Sequence, residues 1–276
     1  MLKQYKLKNY HFELIISIII LNVIGILLIG SAKHSVQKTQ ILGFAMGLVA
    51  MLIISLMDYT FLLRFTWVYY VGIIGLLLAV RLFGDSSKGA TRWIEIAGIR
   101  FQPSELAKIV LILFFAYFFA KYHEKVNTIP VLFGSFLLLA IPFLLICTQP
   151  DLSTSIAVAL IFVSLLFIAG LSYKIVTGVL AVSIPSAVIL FTLLIQDKLP
   201  FIKSYQVTRV MAWLYPDDYP ADAYQQQNSI MAIGSGLLWG KGLNNTDPTS
   251  VKNGNFILEP QNDFIFAVAG EELGFV

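Results

Sequence analysis

The sequence predicts an all-α integral membrane protein: a polytopic helical bundle with seven complete spans and the start of an eighth. Three observations carry this. The 276 residues are 58% hydrophobic and only 13% charged, against roughly 45–50% and 25% in an ordinary soluble domain. Mean hydropathy is +0.80. The apolar residues also fall into runs of roughly 17–20, the length that crosses a hydrocarbon core of about 30 Å. This composition excludes a soluble globular enzyme, a disordered chain and a fibrous repeat. The formal charge of +3, from 19 basic and 16 acidic residues, gives no reason to expect nucleic acid as a partner. The one cysteine, Cys147, excludes an intramolecular disulfide framework and any multi-cysteine metal site.

The charge-free runs, in order, are Leu14–Ala32, Ile41–Met57, Phe65–Val80, Ile129–Cys147, Ser155–Leu171 and Ile175–Ile195. A further span, Pro103–Ala120, carries Glu105 and Lys108 near its start, and its proline suits the first turn of a helix. An eighth begins near Asp263 and reaches Val276, a rise of about 20 Å, so the chain is expected to stop inside a membrane segment. The first run is too long for a cleaved signal peptide and no small-residue cleavage site follows it. Gly43 and Gly47 form a G-x-x-x-G, read as a helix-packing face.

Lys3, Lys6 and Lys8 favour a cytoplasmic N-terminus. Alternation then puts Arg64, Lys121, Lys125 and Lys174 inside, and 81–100, 148–153 and 196–262 outside. The outer segments then hold more cations than the inner ones: Arg81, Lys88, Arg92, Arg100, Lys198, Lys203, Arg209, Lys241 and Lys252. Either the topology is inverted or these cations serve something anionic at the outer surface. Segment 196–262 is the only long polar stretch, a large extracytoplasmic loop with a glycine-rich run from Gly234 to Gly242. Long loops of this kind tend to be functional or disordered.

Carboxylates in membrane segments are costly, so each needs a reason. Glu105 and Lys108 are three apart on one helix face and can pair. The pair either neutralises itself in the bundle or lines a polar cavity whose cation meets a phosphate. Asp263, where the long loop enters the last helix, suits a helix N-cap or a base at a cavity mouth. Glu271 and Glu272 lie about two turns deeper, facing an inner cation or sitting lower in the membrane. Arg92, Trp93 and Arg100 precede Pro103 as interfacial anchors or as a two-pronged grip on phosphate. Asp217, Asp218 and Asp222 read as a solvated acidic loop, because no further ligand spacing supports a metal. Asn244–Thr246 fits a glycosylation sequon, meaningful only in a eukaryotic secretory pathway. His11, His34 and His123 show no metal spacing.

Four ordered blocks carry a resemblance. They are Gly89–Ile94 with Gly98 and Phe101–Glu105 plus Lys108; Pro150-Asp151-Leu152 followed by Thr154; Tyr224-Gln225 with Ser229 and Ala232–Gly236; and Asp263–Val268 with Glu271–Gly274. Together they resemble the SEDS family (FtsW, RodA, SpoVE), covering residue 89 to the end, and 1–276 is read as one SEDS-type transmembrane domain. Ser153 replaces a glycine of the family pattern, Asn228 stands where glutamine is usual, and Leu258–Asn262 departs from the family's L-P-E-x-x-T. The resemblance implies a ten-helix fold, of which this chain lacks the last two helices and part of the eighth.

The resemblance also implies a function: a peptidoglycan glycosyltransferase at the outer face of the bacterial plasma membrane, working in cell division or elongation. Its substrate is lipid II, the undecaprenyl-pyrophosphate-linked disaccharide-pentapeptide. Its partner is a class B penicillin-binding protein transpeptidase, in a setting of membrane lipids. Asp263 would be the catalytic base. Arg92, Arg100 and Arg209, with Lys108, would answer the leaving pyrophosphate, and Glu105 would hold Lys108. Trp93, Gln102, Ser104, Asp151, Ser229 and Glu272 are further motif positions. A divalent cation, Mg or Mn, is compatible with the chemistry, but no ligand cluster in the sequence requires one. Two other functions use the same features: a lipid II flippase, which needs the cations but no base, and a non-catalytic membrane scaffold or inactive fragment.

Overall fold

Helices account for most of the chain. The computed structural model describes residues 11–87, 90–96, 99–149, 152–196, 204–250, 252–254 and 256–275. Its helices are α1 (Phe12–Ala32), α2 (His34–Ser55), α3 (Tyr59–Arg64), α4 (Thr66–Phe83), α5 (Pro103–Lys121), α6 (Ile129–Cys147), α7 (Leu152–Ile168), α8 (Tyr173–Ile195), α9 (Ser204–Leu214), α10 (Pro220–Ser235) and α11 (Ile265–Leu273). Of these, α1, α2, α5, α6 and α8 are long and apolar enough to cross a membrane, and α4 and α7 contribute shorter apolar stretches. Large apolar side chains stay exposed along α1, α2 and α8, among them Leu14, Leu21, Ile53 and Val182. Hydrocarbon as solvent imposes no cost on such a surface.

Several boundaries move from those expected. α2 starts at His34, because its first turns are polar and helical at once; only Lys33, extended at φ −157°, separates it from α1. The expected span from Phe65 to Val80 is preceded by a separate short helix. Asp58 caps α3, its carboxylate accepting from the Thr60 backbone N–H at 2.9 Å and the Thr60 hydroxyl at 2.8 Å. Both donors hold the Asp58 carboxyl below its ordinary pKa. The Gly43/Gly47 face is not packed: a Cβ at either glycine would meet nothing within 4 Å. The long polar segment is not irregular, since α9 and α10 form within it.

Where a loop is expected, three short strands pair as an antiparallel sheet in the order β1 (Asp85–Ser87), β2 (Ala90–Ile96) and β3 (Ile99–Phe101). The β-branched and aromatic residues of β2 and β3 suit a pleated surface.

The chain divides into two compact units. One comprises residues 57–185. Its core joins α4, α5, α6 and α7, with Leu77, Phe114, Phe115, Ile146, Val158 and Phe162 fully buried. Tyr70 stacks on Phe114 at 4.3 Å between centroids, and the Tyr70 hydroxyl donates to the Leu138 carbonyl at 2.6 Å. The other comprises residues 1–56 and 186–276. In it α1 pairs with α2, α10 packs on α11 and α9 on α10, and α1 also touches α11. A small core of Ala232, Ile257 and Ala267 lies at the α10–α11 contact.

Candidate active site

The candidate residues from the sequence fall into two sets, one in each unit.

In the 57–185 unit, the sheet leads straight into α5. β2 contacts both α4 and α5. Arg92 lies on β2, and Arg100 on β3 in register with Glu95; the side chains of both arginines lie outside the described ones. Trp93 is half-buried on β2, opposite Asp85. Pro103 opens α5 at a position whose N–H would have no helical partner. Gln102 sits at the N-cap and its Nε2 donates to the Ser104 hydroxyl at 2.9 Å, with Ser104 fully buried. One turn in, Lys108 Nζ meets Glu105 at 2.9 Å. The pair predicted by spacing forms, but it is not sealed: the Glu105 side chain is 57% exposed and that of Lys108 28%. Glu105 occupies the first turn of α5, where the helix dipole favours a carboxylate. Asp151 lies outside the described residues.

In the other unit, Asp263 is exposed at the end of a turn running from Pro260 to Phe264. It does not cap α11. The N-cap position is Phe264, with no side-chain cap bond, and no group among the described residues donates to the Asp263 carboxylate. Phe264 packs against the Ala232–Ile257–Ala267 core, which fixes the turn and leaves its neighbour Asp263 at the surface. Ser229 is half-buried on α10. Asn228, one residue before it, is buried and its Nδ2 donates to the Phe256 carbonyl at 3.0 Å. Arg209 lies on α9, its side chain outside the described ones. Asp217, Asp218 and Asp222 are exposed.

The glycine-rich run has a steric reason. It lies against the last turn of α11, so close that a Cβ on Gly236 would overlap the Gly270 carbonyl oxygen, and one on Gly240 the Glu272 carbonyl oxygen. Gly240 also adopts φ +71°, which a side chain disfavours. The approach satisfies carbonyls that a helix end leaves without partners: the Lys241 N–H donates to Glu271 O at 2.9 Å and the Gly242 N–H to Glu272 O at 3.0 Å.

The glutamates of α11 are both buried, at 2% exposure each. Sequence reasoning expected an inner-facing cation or a deeper position for them. Instead each takes a lysine from the polar segment. Lys241 Nζ meets Glu271 Oε1 at 2.8 Å. Lys252 Nζ pairs with Glu272 Oε1, and the Ser31 hydroxyl at the end of α1 donates to the same oxygen at 2.6 Å. The signal for this was present: two charges in an apolar helix demand two counter-charges, and Lys241 and Lys252 were in sight as loop cations without an assigned partner. Lines of sequence separation hid which cation met which carboxylate. For a divalent ion, no three of His, Cys, Asp and Glu converge among the described residues.

The family model for FtsW, RodA and SpoVE, described as cell cycle proteins, matches residues 6–276. The chain belongs to this family. The peptidoglycan glycosyltransferase MrdB of Escherichia coli K12 is 40% identical over 237 residues, 84% of this chain and 60% of MrdB. The probable peptidoglycan glycosyltransferase FtsW of Geobacter sp. M18 is 29% identical over 286 residues, 98% of this chain and 74% of the relative. The chain therefore spans about three fifths of the length of MrdB. Among solved structures, a chain from a peptidoglycan synthase complex that coordinates polymerisation and crosslinking superposes with a TM-score of 0.72 at 23% identity, covering 97% of this chain and 72% of that one. The rod shape determining protein RodA of Thermus thermophilus gives 0.54 at 24% identity, covering 64% and 59%. At that identity the two structures speak for the fold. Family membership and the apolar helices make the chain a multi-pass bacterial membrane protein.

Proposed function

We propose that this FtsW/RodA/SpoVE-family chain carries the glycosyl-transfer machinery of a peptidoglycan glycosyltransferase that polymerises lipid II at the outer face of the plasma membrane, in division or elongation. The observation that carries the reading is the 40% identity to MrdB, which bears that activity in its name. The 4-hydroxyl of a GlcNAc on one lipid II attacks the anomeric carbon of the growing strand. The bond from that carbon to the pyrophosphate breaks, and undecaprenyl pyrophosphate leaves with its electron pair.

Asp263 takes the hydroxyl proton. Its carboxylate is exposed and engaged by no helix cap, as suits a group that must accept a proton from a substrate. Arg92, Arg100, Lys108 and Arg209 answer the charge that develops on the leaving pyrophosphate, and Glu105 holds Lys108 at 2.9 Å. A class B penicillin-binding protein is the expected partner.

The N-terminal lysines put the N-terminus in the cytoplasm, so α1 would end outside. Ser31 at that end of α1 bonds to Lys252 of the long polar segment at 2.6 Å. That contact supports α1's far end and the segment sharing one side, as the six crossings between them in the seven-span reading require.

The test is polymerisation of purified lipid II by the full-length protein with its transpeptidase partner. Wild type should make glycan strands, and Asp263→Asn should lose about 10²–10⁴-fold in rate. Lipid II translocation that survives in Asp263→Asn, with no polymerisation by wild type, would replace the enzyme by a transporter.

A further inference from the structure

Glu271 and Glu272 are neighbours in sequence but stand about 100° apart around the helix axis, so each needs its own partner. The two partners differ in kind. Lys241 keeps 25% of its side chain accessible over Glu271. The Lys252–Glu272 contact is sealed, with 5% and 1% accessible. Ser31 completes it: its oxygen donates to Glu272 Oε1 and accepts from Lys252 Nζ, both at 2.6 Å. Glu272 Oε2 is buried with no partner among the described residues. Both donors thus converge on one oxygen, and Lys252 is the cation that answers the buried charge.

Three elements meet at this point: the end of α1, the last turn of α11 and the turn that contains Lys252. From Lys252 the chain runs on to Asp263, held on the way where Asn228 grips Phe256 and where Ile257 enters the small core. The start of this stretch is therefore fixed by charge, its middle by packing, and its end carries the exposed carboxylate.

We propose that Lys252, Glu272 and Ser31 form a positioning site for the general base, fixing the stretch 252–264 to α1 and α11 and so setting where the Asp263 carboxylate stands. The three act through the backbone and not on the sugar. The inference rests on the reading of Asp263 as the base.

The test uses the full-length protein with its transpeptidase partner and lipid II as substrate. Lys252→Met keeps the apolar stem and removes the charge, Glu272→Gln removes the carboxylate's charge, and Lys252→Glu with Glu272→Lys reverses the pair. A displacement of about 1 Å in a catalytic group costs about 10²-fold. Each single variant should therefore lose about that much in kcat with KM nearly unchanged, and the reversed pair should recover most of it. Ser31→Ala, which leaves the ion pair in place, should lie between wild type and the single variants.

Hydrogen exchange supplies a readout independent of activity. The Gly254 and Asn262 amides, bonded to Ser250 O and Glu259 O, should exchange faster in Glu272→Gln. The Ala223 amide in the first turn of α10, bonded to Tyr219 O, should keep its wild-type rate. Wild-type kcat together with wild-type exchange in both single variants overturns the proposal. So does a rise in exchange throughout α10 and α11 that the reversed pair fails to repair, since that marks a structural role only. A wild type that makes no glycan strands overturns the reading of Asp263 as base, while the exchange data still decide whether the cluster holds the stretch.

Discussion

The contact between the glycine run and α11 predicts an order of sensitivity among glycine-to-alanine substitutions. At Gly236 the backbone is ordinary, φ −73° and ψ −18°, so the cost of Gly236→Ala is steric alone. Its new Cβ would overlap the Gly270 carbonyl oxygen, a backbone atom that cannot swing aside, and α10 must shift against α11. Overpacking of this sort costs about 1–3 kcal/mol. Gly240→Ala meets the Glu272 carbonyl oxygen and also sits at φ +71°. The left-handed backbone adds about 1–2 kcal/mol, for a total of about 2–5 kcal/mol. Gly43→Ala is the control: its Cβ meets nothing within 4 Å, and alanine inside a helix gains about 0.5–1 kcal/mol over glycine. Unfolding in mixed micelles, followed by tryptophan fluorescence, should rank Gly240→Ala least stable, then Gly236→Ala, then wild type, with Gly43→Ala equal to or above it. At about 1.4 kcal/mol per tenfold, the Gly236 variant shifts the equilibrium by roughly 5- to 150-fold. A Gly236→Ala protein as stable as wild type, beside a destabilised Gly43→Ala, would refute the docking of the run on α11.

Because the Glu105–Lys108 pair is largely open, Lys108→Ala should cost only about 0.2–0.5 kcal/mol of stability yet lower polymerisation if Lys108 answers the pyrophosphate; melting and rate, measured on one preparation, separate the two. The Asp247 carboxyl is held below its ordinary pKa by the Thr249 backbone N–H and then by the Thr249 hydroxyl. A depressed folded pKa stabilises above the unfolded value and fades as pH falls through the folded one. Asp247→Ala should therefore speed exchange of the Thr249 amide at pH 7, and the two proteins should converge in strong acid. For topology, Asn244→Cys should label from outside the cell and Lys125→Cys only after permeabilisation; the reverse pattern would invert the orientation argued from Lys3, Lys6 and Lys8.

Much of the helical frame was legible because hydrocarbon-facing helices need no periodicity, only length and absence of charge. The expected run Ile129–Cys147 is α6 to the residue. Where polar residues continue a helix, as at His34–Gln40 of α2, a charge-free run starts too late. The three-stranded sheet escaped because its strands are short. At the site, the Glu105–Lys108 pair followed from i,i+3 spacing alone. The partners of Glu271 and Glu272 did not, since Lys241 and Lys252 reach them across 30 and 20 residues of chain. The non-capping role of Asp263 depended on Phe264 entering the small core, a tertiary contact with no local signature.

Two adjacent glutamates, each answered by a different lysine, also work as a key. If α11 slid by one residue against the polar segment, one carboxylate would take the other's place and the second would be left without its lysine. The same slip would put Ala269 or Glu271 where Gly270 now lets the Gly236 backbone approach. Apolar packing alone is tolerant of such a shift, because one Ile or Val replaces another with little loss. Buried charges are not tolerant, and fixing alignment is the use best attested for them. On this view the pairs add little to how tightly the segment is held. What they decide is that only one alignment of it is admissible.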